Sequence, residues 1–233
     1  LVAAMSLSAL TLSAQNKFKG IVKYEISSVG TTAIELQPEQ RSVEVRVMGD
    51  YIKVGDNSLQ HGRDIFTFLD LSYAIEYVKQ NDFEIESYDG DGKIFVKNSL
   101  TQEEIDSLTI PVTEGFYVEY TEEAKQVAGV DCKKAVLHTF DEEGKESKLD
   151  VWYAPEIGPE VCTLPVGVMT KGLPMEMVME LDEGRALKYQ ATEVTKGKVK
   201  DVEFLMRSGY KEISPKQFQE LRNEIQDNGF SYT

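Results

Sequence analysis

The feature that most constrains this chain is apolar residues recurring at every second position, which fits half-buried strands and not helices. In the first such stretch Phe18, Val22, Tyr24 and Ile26 share one face, while Lys17, Lys19, Lys23 and Glu25 share the other. Val43, Val45 and Val47 alternate with Ser42, Glu44 and Arg46, then Gly49-Asp50 turns the chain into Tyr51-Ile52-Lys53-Val54, a short hairpin. The same rhythm predicts strands over residues 65–69, 73–78 and 83–88, and again over 116–120, 133–140, 148–153, 175–181, 185–194 and 199–206. Between the two sets, Asp89-Gly90-Asp91-Gly92 reads as a hairpin tip, since glycine reaches positive φ without a steric penalty. Its resemblance to a calcium loop fails at the twelfth position, where Leu100 replaces the required Glu.

Two segments break the alternation. Thr101 followed by Glu104 forms a capping-box pattern that starts a short helix. Near the end, Ser214 caps, Pro215 takes the first helical position and Gln217 completes a box. Ile213 and Phe218 stand at staple positions. Phe218, Leu221, Arg222 and Ile225 then follow helical spacing up to Asn228-Gly229. Ten or so antiparallel strands exceed what a flat sheet holds. The expected fold is therefore mainly β (α+β): a strongly curved antiparallel sheet or half-open barrel, with the short helix and the C-terminal helix packed on it.

Residues 1–14 are uncharged and apolar or small, ending in Leu12-Ser13-Ala14 before Gln15-Asn16-Lys17. This pattern reads as the remnant of an export signal cleaved near Ala14. A buried N-terminal helix is the alternative. The run is shorter than the roughly 20 residues a membrane-spanning helix needs, so stable membrane insertion is not expected. No Cys follows the small residues, which argues against a lipid anchor. Residues 15–233 then form one β-rich domain, periplasmic or secreted. A net charge of −15, from 40 acidic and 25 basic residues, argues against nucleic-acid partners; it serves solubility or an acidic partner-binding face. Cys132 and Cys162 fit an oxidising compartment in two ways. A bridge between them would close a loop of about 30 residues, worth roughly 3–4 kcal/mol. Two buried thiols serve equally as small apolar residues.

Catalytic signatures are missing from the sequence: no GxSxG elbow, Walker loop, HExxH or dinucleotide fingerprint. His61 and His138 are too few for a histidine metal cluster or triad, and the expectation is a non-enzyme without metal or cofactor. The most informative segment is Gly172-Leu173-Pro174-Met175-Glu176-Met177-Val178-Met179-Glu180-Leu181. On a strand, Met175, Met177, Met179 and Leu181 lie on one face, and flexible, polarisable methionines reshape around varied apolar ligands. They also fill cores. Trp152 falls on the face opposite Val151 and Tyr153, either in the core or lining a mouth.

These residues carry a resemblance. Gly129-Val130-Asp131-Cys132-Lys133-Lys134-Ala135, Trp152-Tyr153-Ala154-Pro155-Glu156-Ile157 and Gly172-Leu173-Pro174 with Glu176 resemble ordered motifs of the exported GLPGLI and DUF4412-type families. Phe204 and Ser208-Gly209-Tyr210-Lys211 resemble the closing strand of that pattern, and the match covers about residues 115–215. Here Gly-Leu-Pro-Met replaces the full GLPGLI string, which favours the looser DUF4412-like group. The resemblance implies a fold similar to the periplasmic lipoprotein carriers of the LolA and LolB kind, with an apolar concave face, and brings no catalytic residues. Together with the methionine row it points to binding of a hydrophobic small molecule, lipid or lipoprotein by Leu173, Met175, Met177 and Met179, with Trp152 at the border. The alternative is an envelope scaffold protein with a filled core.

Overall fold

A computed structural model describes residues 17–81 and 83–228. The export-signal segment 1–14 and Gly229 lie outside the described residues. The chain builds one mixed sheet, open at both edges. Its strands are β1 (Lys19–Ser28), β2 (Ser42–Met48), β3 (Tyr51–Val54), β4 (Ser58–His61), β5 (Asp64–Asp70), β6 (Lys93–Ser99), β7 (Gly115–Val127), β8 (Val130–Phe140), β9 (Glu146–Ala154), β10 (Leu173–Glu180), β11 (Ala186–Lys196) and β12 (Lys211–Ile213). They lie in the order β12-β6-β5-β4-β3-β2-β1-β11-β10-β9-β8-β7. All neighbours are antiparallel except β12 and β6, which pair in parallel at one edge. The sheet curls enough to bring β7 within reach of β11, with three strands between them. Bulges in β11, β7 and β10 assist this curl, since each bulge bends and twists its strand.

The helices are α1 (Ser72–Gln80), α2 (Gln102–Ser107) and α3 (Pro215–Asp227). At α2, Thr101 Oγ1 accepts from the Glu104 amide (3.2 Å) and Glu104 Oε2 accepts from the Thr101 amide (2.7 Å), the full capping box. At α3 only half of the expected box forms. Ser214 Oγ accepts from the Gln217 amide (3.1 Å), but the Gln217 side chain donates instead to the Ser87 carbonyl (3.0 Å).

Three stretches expected as strands are not. Residues 73–78 lie in α1, because Ala74, Ile75 and Val78 form a helical stripe that packs with Leu221 and Ile225 of α3 and with Ile94 and Val96 of β6. Tyr73, alternate with Ile75, is left exposed. Residues 83–88 join no ladder. The Glu86 and Ser87 amides donate to the Glu224 carboxylate on α3 (3.1 and 3.2 Å), which supplies the partners a sheet would have given. Asp89-Gly90-Asp91-Gly92 is thus a turn into β6 and not a hairpin tip. Gly92 is required there: its φ is +92°, and a Cβ would sit 2.4 Å from the Ser72 amide nitrogen. Residues 199–206 hold a 3-10 turn (Asp201–Phe204) in place of a strand.

Burial divides the sheet. Its first seven strands in spatial order are covered on both faces near β5 and β6. The helices cover Ile94 and Val96, while Val199 and Phe204 cover Leu59 and Phe68 from the other side. The main core joins Val22, Tyr24, Val45, Val47 and Ile52 to Ala191, Leu173 and Met175, and is closed by Ile157 and Cys162 from the segment 155–172.

Candidate functional site

The methionine row begins where segment 155–172 returns to the sheet. Gly172, at φ +124°, lets the backbone press on β9, since a Cβ would lie 2.2 Å from the Ala154 carbonyl oxygen. The Leu173 amide then donates to the Ile157 carbonyl (2.9 Å), tying the start of β10 to the segment. A register shift between Pro174 and Glu176 divides the row. Leu173 and Met175 are fully buried in the main core. Met177 belongs to a second cluster with Val151 and Val168, flanked by Leu137, Leu149, Val166, Met179 and Tyr189. The row then leaves the interior: Met179 is half-buried and Leu181 is 39% exposed. There a cleft of about 610 Å³ opens across the strand ends, lined by Leu137, Leu149, Met179 and Leu181 together with Lys145, Glu146, Lys148 and Glu180. That volume falls within the usual range for small-molecule sites.

Trp152 packs against the main core with Leu173 and Met175 and lies apart from Met177 and Met179. It is aligned with Glu176 across the ladder, whereas Met177 is aligned with Val151, so Trp152 and Met177 point to opposite faces. Lys125 Nζ lies 4.3 Å from the Trp152 ring centre and 2.9 Å from Glu176 Oε2. The rest of that face is ionic. Lys134 bonds Asp150 (2.8 Å), and His138, stacked on Tyr117, has Glu146 at 2.6 Å and Glu119 at 3.2 Å. The His138 bond holds the Glu146 carboxyl below its ordinary pKa. Among the described residues, no three His, Cys, Asp or Glu side chains are placed to hold a metal ion.

Cys132 and Cys162 both reach the main core as free, buried thiols. Burial raises both pKa values, that of Cys132 to about 11. The Cys162 thiol donates to the Leu164 carbonyl (3.2 Å). Tyr24 lies beside the pair, its buried hydroxyl donating to the Pro174 carbonyl (2.7 Å).

The residue that sequence reasoning missed is Gln60 on β4, fully buried. Its Nε2 donates to the Gly62 and Val161 carbonyls (2.8 and 2.7 Å), and its Oε1 accepts from the Thr163 amide (3.0 Å) and hydroxyl (3.1 Å). One side chain thus clips segment 155–172 to the far half of the sheet. Nothing local marks it, because all but one of its bonds reach about a hundred residues along the chain. The division of the row had a signal: Pro174 inside a strand pattern denotes a bulge.

No family model matches this chain, so membership of the GLPGLI or DUF4412-type families is not shown, and no curated protein matches it. Solved structures do. PNGF-II is similar over 91% of this chain, at 14% identity and a TM-score of 0.50, and this chain spans about a third (34%) of that one. The LolA superfamily protein NE2245 from Nitrosomonas europaea is similar over 82% of this chain and 91% of its own, at 12% identity and a TM-score of 0.31. MucB is similar over 83% of this chain and 58% of its own, at 11% identity and a TM-score of 0.30. At these identities the likeness to PNGF-II is one of fold alone, and the other two scores are too low to build on. Among the described residues no helix is long and apolar enough to cross a membrane.

Proposed function

We propose that this is a non-catalytic binding protein of the cell envelope, taking an apolar ligand, lipid or lipidated partner at the Met177–Met179 end of the row. The observation that carries the reading is the row's exit from the core into the cleft that Leu137, Leu149, Met179 and Leu181 help to line. Methionine there adapts to an acyl chain or other apolar group, and Lys145 in the lining suits an anionic head. Leu173, Met175 and Trp152 belong to the main core beyond the register shift, and in this reading they hold β10 in place.

The test is native mass spectrometry with lipid extraction, paired with titration of a fluorescent fatty acid. Wild type should carry or bind a ligand, and Met179→Glu should lose it with little change in unfolding midpoint. A clean apo mass with no fatty-acid binding sinks the proposal. One observation favours a second reading, an envelope scaffold: Leu173 and Met175 are sealed under the protein's own segment 155–172. That reading predicts equal, negligible fatty-acid binding by wild type and Met179→Glu.

A further inference from the structure

Residues 196–211 concentrate positive charge in an otherwise acidic protein: Lys196, Lys198, Lys200, Arg207 and Lys211 against Asp201 and Glu203. Both acids are already occupied. Asp201 pairs with Lys19 (3.0 Å) and Glu203 with Arg46 (2.9 Å). Arg207 pairs with Asp56 (3.1 Å), but among the described residues Lys196, Lys198 and Lys200 enter no salt bridge. Three large apolar side chains stand out of the same segment, with Val202 65%, Leu205 65% and Met206 44% exposed. Scattered exposed apolar residues need no explanation, but three within five positions form a patch.

Buried neighbours anchor this patch. Val199 and Phe204 are buried against Leu59 and Phe68, fixing the segment from beneath. The 3-10 turn and the Leu205 amide bond to the Val202 carbonyl (3.4 Å) keep the two exposed side chains adjacent. The apolar groups are thus presented without further ordering, and lysines flank them. That combination suits the interface of a bilayer, where apolar side chains enter the acyl boundary and lysines meet anionic headgroups. The net charge of −15 keeps the remainder of the body off such a surface, so contact through this patch is oriented and reversible. An acidic protein would satisfy the lysines but leaves the apolar triad without a stated counterpart.

We propose that the loop around the 3-10 turn is a docking patch for an anionic lipid surface, with Val202, Leu205 and Met206 entering the acyl boundary and Lys196, Lys198 and Lys200 engaging headgroups. The proposal does not depend on the cleft at Met179. The test is flotation of the full chain with vesicles of phosphatidylcholine, alone or with three parts in ten phosphatidylglycerol. Wild type should float with the anionic vesicles and much less with neutral ones. Each lysine removed should weaken binding by roughly fivefold at low salt. Val202→Ser combined with Leu205→Ser and Met206→Ser should weaken it by about tenfold or more, with an unchanged unfolding midpoint. An environment-sensitive dye on Leu205→Cys reports the contact locally, whatever residues 1–14 contribute. Its emission should shift to the blue on anionic vesicles, while the same dye on Glu143→Cys should not. An unshifted dye at position 205 on vesicle-bound protein, absence of flotation, or capture of an acidic protein in place of vesicles each overturns the proposal.

Discussion

The two halves of the sheet are covered in different ways. Around β5 and β6, α1 and α3 lie on one face and the 3-10 turn on the other, so Ile94, Val96, Phe68 and Leu59 are all buried. Around β8 to β10, an irregular segment covers Val151 and Met177, and the opposite face carries half-buried ion pairs. Helices satisfy their own backbone and can devote a whole side to apolar contact. A loop must find partners for its amides and carbonyls, and here Gln60 supplies several of them. The second half therefore buries less and leaves Met179 and Leu181 at an open cleft. Binding is expected where cover is incomplete, and stability where it is complete.

The sharpest way to break this comparison is to truncate one residue on each side. Leu221→Ala, at a fully buried position of α3, should cost about 3 kcal/mol in urea unfolding, against about 1.5 kcal/mol for Val168→Ala in the covering segment. Equal costs would show that the loop covers as well as the helix. Next comes the clip. Gln60→Leu leaves the Val161 and Gly62 carbonyls and the Thr163 amide without that partner and should cost about 1–3 kcal/mol. Hydrogen exchange should then accelerate at Val161 and Thr163 with α3 amides unchanged.

A smaller effect is expected at high pH. Burial pushes the Tyr120 hydroxyl up to about 12, beside Tyr153 and under Lys171, whose Nζ lies 4.6 Å from the ring. In the unfolded chain it ionises near 10, so its folded-state pKa is raised and its contribution is complete below about pH 10. That contribution is lost as pH rises toward 12, and the unfolding midpoint should fall over that interval, less steeply in Tyr120→Phe. The smallest effect concerns the ionic face. Lys125→Ala removes a partly exposed ion pair and cation–π contact and should cost below about 1 kcal/mol, while changing the emission of the lone Trp152.

The fold was legible where its cause is local. Alternation marked β1, β2, β3, β5 and β7 to β11, and the caps at Thr101 and Ser214 marked α2 and α3, because each signal spans only a few residues. The candidate site was legible in its chemistry and not in its shape. Met175, Met177 and Met179 read as one continuous face, but the shift at Pro174 places Met175 in one cluster and Met177 in another. Leu137, Leu149 and Leu181 gained their role only when three strands met at one rim.

By itself the sequence determined a curved, mainly β chain with a capped C-terminal helix and an acidic surface, and it left Cys132 and Cys162 open between a bridge and two buried thiols. The tertiary structure decided the remainder. It made residues 73–78 helical, because only α3 and β6 could cover Ala74, Ile75 and Val78 as a stripe. It kept residues 83–88 out of the sheet, because Glu224 took the amides of Glu86 and Ser87. It closed the main core with segment 155–172, held by Gln60 from about a hundred residues away. In each case the local pattern set what a segment could bury, and partners distant in sequence set which face was covered and which stayed open.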